Sequence, residues 1–216
     1  MSLNIERVVT GPFQENSFIT WQDNSKFCII VDPGDDAHLI IQQLENLNLE
    51  PLAVINTHAH LDHIGAISDL KEKFTIPFYL HSLEKTILDG YERDCALFGM
   101  NQKTAPTVDH WFNSETIRIK TYEILLVETP GHTPGGTCLC IDRHVFTGDT
   151  IFAGSVGRTD LPGGDWDTLS QSLIKVMNEI PSDYILHPGH GLDTNLKTEM
   201  KQNPFLIPLL NRVNSL

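Results

Sequence analysis

The sequence predicts an α/β protein made of one domain over residues 1–216, with sheet packed on sheet and helices outside. Three observations carry that reading. Short β-branched apolar runs alternate with helical stripes, and the order of strands then helix occurs twice along the chain. Metal-competent side chains run from His58 to His190 with no linker or low-complexity stretch between them, so both halves have to contribute to one place.

In the first half, strand-like runs cover Ile5–Thr10, Ser17–Trp21 and Phe27–Val31, separated by Gly11-Pro12 and Asp23-Asn24-Ser25, which makes an antiparallel meander. Asp32-Pro33-Gly34-Asp35 stops the third strand and is expected to cap a helix over Asp36–Leu47, striped by Leu39, Ile40, Gln43, Leu44 and Leu47, with His38 solvated or half-buried. Leu52–Ile55 reads as a buried strand, and an amphipathic segment from Asp62 to Lys71 follows, with Asp62 as its cap. Ile76–Leu80 is a further strand, and His81-Ser82-Leu83-Glu84 opens a capped helix. Gly90–Pro106 shows no clear period and reads as a surface loop, either a lid or a plain connector.

The second half repeats the manner of the first. Glu115–Ile119 and Tyr122–Glu128 form a hairpin, Thr129–Gly136 a tight loop, and Thr137–Ile141 and Val145–Thr147 two strands. A helix spans Trp166–Glu179 on a stripe of Leu169, Leu173, Ile174 and Met177, and Tyr184–Leu186 is the last strand.

Composition narrows the partners. Hydrophobic residues make up 40% of the chain, ordinary for a protein with a proper core, and 15 basic residues against 28 acidic ones leave a formal charge of −13. Nucleic acid and anionic membranes are therefore not expected partners. There is no signal-peptide pattern at the start and no run long enough for a membrane span. Cys28, Cys95, Cys138 and Cys140 form no C-x-x-C pair and read as free core thiols, so a reducing, cytoplasmic setting is the expectation.

The chemistry concentrates at Thr57-His58-Ala59-His60-Leu61-Asp62-His63, where three imidazoles and a carboxylate fall within six positions directly after an apolar strand. On extended backbone, side chains two apart face the same way, so His58 and His60 converge. Asp62 and His63, at the turn into a helix, aim differently, so the one stretch can serve two neighbouring cations. Three further segments follow one grammar of short strand, glycine and metal-competent side chain, ending at His132, Asp149 and His190. Imidazole with carboxylate suits zinc, iron or manganese, and the cysteine positions exclude a thiolate site.

His-x-His-x-Asp-His at His58–His63, Thr-Pro-Gly-His-Thr around His132, Thr-Gly-Asp at Asp149 and Pro-Gly-His-Gly at His190 resemble the metallo-β-lactamase-fold superfamily, in order and over nearly the whole chain. The resemblance is greatest to short members of its glyoxalase II (hydroxyacylglutathione hydrolase) branch. It implies an αββα sandwich with two divalent metal ions at its edge, zinc first and iron or manganese as alternatives. His58, His60 and His132 would hold one, Asp62, His63 and His190 the other, and Asp149 would bridge. The implied reaction is hydrolysis of a small thioester such as S-D-lactoylglutathione, in which two cations about 3.5 Å apart acidify a water and Asp62 takes its proton. A mononuclear iron persulfide dioxygenase using His58, His132 and Asp149 is the alternative, and a lactonase or other acyl hydrolase a third. Arg158 is expected to tie its loop through Asp160 or Asp165, and its loss mainly to destabilise. Asn16 and Thr133 are expected to hold loops by local hydrogen bonds, and His187, His110 and His144 to be structural. Lys197, Lys201 and Arg212 read as a solvated helix face.

Overall fold

A computed structural model describes residues 2–100, 104–113 and 115–213, with side chains through 210. Its contacts separate into two compact units, 1–113 and 114–216.

The first unit opens with β1 (Leu3–Thr10), β2 (Glu15–Gln22) and β3 (Phe27–Val31), the antiparallel meander that the turn residues predict. After α1 (Ala37–Leu47) the chain enters β4 (Glu50–Ile55), then the short α2 (Leu61–Ile64), α3 (Ile67–Phe74) and β5 (Phe78–His81). A single 3-10 turn over Ser82–Glu84 leads to α4 (Lys85–Leu88) and α5 (Tyr91–Leu97), and β6 (His110–Phe112) closes the sheet. The strand order is β1-β2-β3-β4-β5-β6, and β3 to β6 run parallel with Val31 opposite Ile55 and Ile55 opposite Tyr79. Parallel pairing brings the carboxyl ends of β3, β4 and β5 to one edge, and the residues that follow those ends form the cluster described below. The core here joins Ile19, Ile30 and Val54 of the sheet to Ile40 and Leu44 of α1 and Leu70 of α3.

The second unit holds β7 (Thr116–Ile119), β8 (Tyr122–Glu128), β9 (Thr137–Ile141), β10 (His144–Gly148), the two-residue β11 (Ile151–Phe152) and β12 (Ser155–Val156), α6 (Trp166–Glu179), β13 (Ile185–Pro188), β14 (Thr194–Asn195), α7 (Leu196–Gln202) and α8 (Leu206–Val213). Its main sheet has the order β14-β13-β10-β9-β8-β7. β8 and β10 are both antiparallel to β9, and β13 is parallel to β10, so β8, β10 and β13 end at the same edge. Leu169, Leu173 and Val176 of α6 pack on Cys138, Val145 and Leu186.

Several expectations change. Residues 91–97 are helical, because Tyr91 and Cys95, one turn apart, are both buried and demand a helix under them. Asn101, in the same segment, lies outside the described residues. Asp32–Asp35 do not cap α1: its N-cap position is Asp36, left-handed at φ 46° and without a capping bond, and the Asp36 carboxylate accepts the Gly11 amide at 3.0 Å instead. Asp62 is likewise no cap, since it sits inside the first turn of α2, one residue past the N-terminal His60–Leu61 junction. The amphipathic segment breaks at Gly65-Ala66 into α2 and α3. The capped start expected at His81–Glu84 is present as a 3-10 turn, His81 accepting the Leu83 amide at 3.2 Å.

All four cysteines are free and buried, as their scatter suggests. Burial pushes the Cys28 and Cys140 thiols up to about 12 and Cys138 up to about 11. Thiolate, the reactive form, is therefore scarce at neutral pH. In native buffer at pH 8 an aromatic disulfide reagent should titrate no cysteine rapidly, whereas in denaturant it should titrate all four at once.

Candidate metal centre

In the first unit the site is built around Asp32, a buried carboxylate at the end of β3 in the left-handed backbone region, φ 47°, that aspartate tolerates better than most residues. Its Oδ1 accepts the Thr57 amide at 2.7 Å and its Oδ2 accepts the Thr57 hydroxyl at 2.6 Å. His63 Nδ1 lies 3.2 Å from the same Oδ2, and a carboxylate only accepts, so His63 carries its proton on Nδ1. The Thr57 hydroxyl, having donated to Asp32, has only its oxygen left for His58 Nδ1 at 3.0 Å, so His58 too is protonated on Nδ1. One carboxylate thus sets the tautomers of two imidazoles and leaves the Nε2 lone pair of each for a cation.

Backbone bonds to buried side chains fix the segment between them. Glu84, fully buried, accepts the Ala59 amide at 2.8 Å, and Asn56 Nδ2 donates to the His63 carbonyl at 2.7 Å. The His58 and His60 rings stand edge to face at 4.9 Å, as alternation predicts, and His63 lies nearer still to His58, at 4.0 Å. The Asp62 carboxylate and a ring nitrogen of His63 lie within 4.8 Å of one another. Gly34 and Gly65 permit this packing: a Cβ on Gly34 would meet the Asp62 carbonyl at 2.0 Å, and one on Gly65 the Gly34 carbonyl at 2.3 Å. Beneath the site Glu15, wholly buried, accepts the hydroxyls of Thr10 and Ser17 at 3.0 and 2.9 Å, and burial pushes its carboxyl well above the usual range.

In the second unit, the edge where β8, β10 and β13 end carries His132, Asp149 and His190. Asp149 Oδ2 lies 3.5 Å from His132 Nε2 and 3.7 Å from His190 Nε2. Two ligand atoms each about 2.1 Å from one cation sit roughly 3–3.5 Å apart, so this spacing suits shared coordination better than direct hydrogen bonding. His132 Nδ1 meets the Arg158 carbonyl at 2.7 Å, which fixes that proton and turns Nε2 toward Asp149. The His132 loop is held by α6: Gly131, at φ 128°, presses on Leu169 where a Cβ would fall 2.2 Å from the amide nitrogen, and Ser172 donates to the Pro130 carbonyl at 2.6 Å. The donor set of imidazoles and carboxylates, with tautomers already assigned, fits divalent cations of the zinc, iron or manganese kind.

The sequence nominates seven ligand candidates but not the groups that orient His58, His63 and His132. Asp32, Asn56, Thr57 and Glu84 carry no ligand spacing; the one available signal is that Asp32-Pro33-Gly34 shares the strand-then-glycine grammar of the other motifs. Arg158 does pair with Asp160, at 2.6 and 2.7 Å, while Asp165 caps α6 by accepting the Thr168 amide at 2.7 Å. It is the Arg158 carbonyl, however, that serves the site. The Thr133 carbonyl, not its buried hydroxyl, accepts the Gly131 amide at 3.0 Å. His187 is structural, stacked on Phe146 with its Nε2 2.9 Å from His144 Nδ1, and His110 stacks on Tyr79.

Residues 10–190 match the family described as Metallo-beta-lactamase superfamily. A probable metallo-hydrolase of Bacillus subtilis, YqgX, is 38% identical over 93% of this chain and 96% of its own length. The hydroxyacylglutathione hydrolase GloC of Haemophilus influenzae is 35% identical over 94% and 98%. Among solved structures, the BLEG-1 B3 metallo-beta-lactamase superposes with TM-score 0.87 at 37% identity, covering 94% of this chain and 99% of that one. TTHA1623 in a di-iron-bound form gives 0.84 at 35% identity, covering 93% and 100%.

Replacing Asp32 by alanine frees both Nδ1 tautomers and should weaken metal binding by ~10–100-fold, read by competition with a chelator. Arg158→Ala, by contrast, removes a side-chain pair that is 59% and 68% exposed, and the carbonyl stays. Its melting midpoint should move by less than ~3 °C with metal binding unchanged, against the sequence expectation of a mainly destabilising loss.

Proposed function

Since the chain belongs to the metallo-β-lactamase superfamily, a family of metal-dependent hydrolases, we propose that it is a dinuclear hydrolase of small thioesters such as S-D-lactoylglutathione. In this reading residues 1–216 act as one domain. His58, His60 and His132 would hold one divalent cation and Asp62, His63 and His190 a second, with the Asp149 carboxylate available to both. Zinc is the first choice, and the di-iron form of TTHA1623 makes iron the principal alternative. The observation that carries the proposal is the assigned set of Nε2 donors: Asp32 and Thr57 orient His63 and His58, and the Arg158 carbonyl orients His132. The family match runs from residue 10 to residue 190 and so takes in all seven positions. Identity to GloC supports the thioester.

Two bound cations would supply an acidified water and a polarised acyl oxygen at neutral pH. The residues do the rest. Asp62, half-buried in the first turn of α2, takes the proton of the attacking water on its carboxylate. Asp32 and Glu84 keep the imidazole cluster from rearranging as charge develops, because neither carboxylate is able to leave its backbone partner without becoming a buried unpaired charge. The thiolate leaving group is soft, which suits a borderline-soft metal such as zinc.

A β-lactam amide is the second reading, favoured by 37% identity to the B3 metallo-beta-lactamase structure. The same preparation, analysed for metal, should be offered a lactoyl thioester, a chromogenic β-lactam and, with an oxygen electrode, glutathione persulfide. Thioester cleavage abolished by chelator and restored by metal is the expected result; oxygen uptake or β-lactam turnover without it would overturn the proposal. Asp62→Ala should lower kcat on the preferred substrate by ~10²-fold or more while leaving the melting midpoint close to wild type. Near-normal turnover in that variant would end the proton-acceptor role.

A further inference from the structure

The structure assigns a positioning role to Glu199 of α7: through the β11–β12 hairpin and Phe152 it holds His190 in place, an inference that rests on the metal-site reading above. Glu199 is 2% exposed, so its carboxylate has to be satisfied by protein. Its Oε2 accepts the Gly154 amide at 2.8 Å and Asn203 Nδ2 at 2.9 Å, and its Oε1 accepts the Thr194 hydroxyl at 2.5 Å. Asn203, fully buried, donates from the same Nδ2 to the Ser155 carbonyl at 2.9 Å. The helix that presents these groups is itself fixed by Asn195, whose Oδ1 caps it on the Thr198 amide at 2.9 Å.

These bonds end on the tip of a hairpin whose base is held separately, by Ile151 and Val156 in the core and by the Thr147 hydroxyl, which donates to the Ile151 carbonyl at 2.9 Å. β11 and β12 are two residues each, joined by two paired positions, and a ribbon of that size has no stability of its own in water. The core fixes its base, and Glu199 and Asn203 fix its tip at Gly154 and Ser155. Phe152 in that hairpin meets the His190 ring edge to face, at 6.1 Å and 68°. His190 follows Gly189, whose amide donates to the Gly148 carbonyl at 2.9 Å, and precedes Gly191 at φ 81°. The Phe152 ring limits its rotation, and Glu199 limits Phe152.

Zinc-loaded full-length chain, titrated against a competing chelator, tests this without substrate. Glu199→Ala and Phe152→Ala should each weaken the more weakly held of the two cations by about tenfold. Glu199→Gln should bind like wild type: its amide oxygen keeps Gly154 and Asn203, and its nitrogen donates to the Thr194 hydroxyl turned round to accept. Glu199→Ala and Phe152→Ala both within twofold of wild type would overturn the assignment, as would a Gln variant as weak as the Ala variant. Should Glu199→Ala not fold, Phe152→Ala decides alone, since its half-buried ring is not part of the core. A wild-type chain that holds no cation would sink the metal-site reading itself, and this inference with it.

Discussion

A single buried carboxylate, Asp32, is the constraint on which the histidine cluster of the first unit depends. Burying that charge is tolerable only because three donors meet it: the amide and hydroxyl of Thr57 and the Nδ1 proton of His63. The consequence extends past the residues it touches. By taking the Thr57 hydroxyl proton, Asp32 forces His58 to donate, so two imidazoles in one cluster are fixed by one charge. The β3–β4 parallel pairing is what brings Asp32 and Thr57 side by side, 25 residues apart in sequence. Site and sheet register are therefore one problem, and a slip of one residue between those strands would undo both.

The second half reaches the same end by main-chain means. His132 is oriented by the carbonyl of Arg158, and its loop is fastened to α6 at Gly131 and Pro130. A carbonyl suffices there because no second imidazole has to be set through it. Within each unit the ligand candidates follow the carboxyl ends of strands, β4 in one sheet and the mutually aligned β8, β10 and β13 in the other. Such an edge is where open sheets leave room for side chains of successive loops to converge. Membership of the metallo-β-lactamase superfamily accords with this arrangement. The glycines at 34, 65 and 131 belong to the same design, since each stands where backbone approaches backbone or a helix too closely for any side chain.

Much of this was legible in the chain itself. Trp166–Glu179 is helical over the predicted span, and Phe27–Val31 and Tyr122–Glu128 are strands at the predicted bounds, because periodicity and turn residues are local signals. The seven residues were nominated as ligands for another reason: several imidazoles and carboxylates at strand ends have few other uses. Residues 91–97 were misread because their only helical signal is the pair Tyr91 and Cys95 among polar neighbours. β6 was missed because three residues carry no period. Asp32 looked like a helix cap, and nothing in its neighbourhood says that its partners lie at Thr57 and His63.

What the sequence determined by itself was the kind of atoms available, the order of strands and helices that presents them, and through these the family. Only the tertiary structure decided which nitrogen of His58, His63 and His132 bears the proton, that Asp32 orients imidazoles, and that Arg158 acts by its carbonyl. The physical reason is that tautomer and aim are set by hydrogen bonds between groups distant in the chain. Such bonds leave no periodicity or spacing behind, whereas burial and turn formation do.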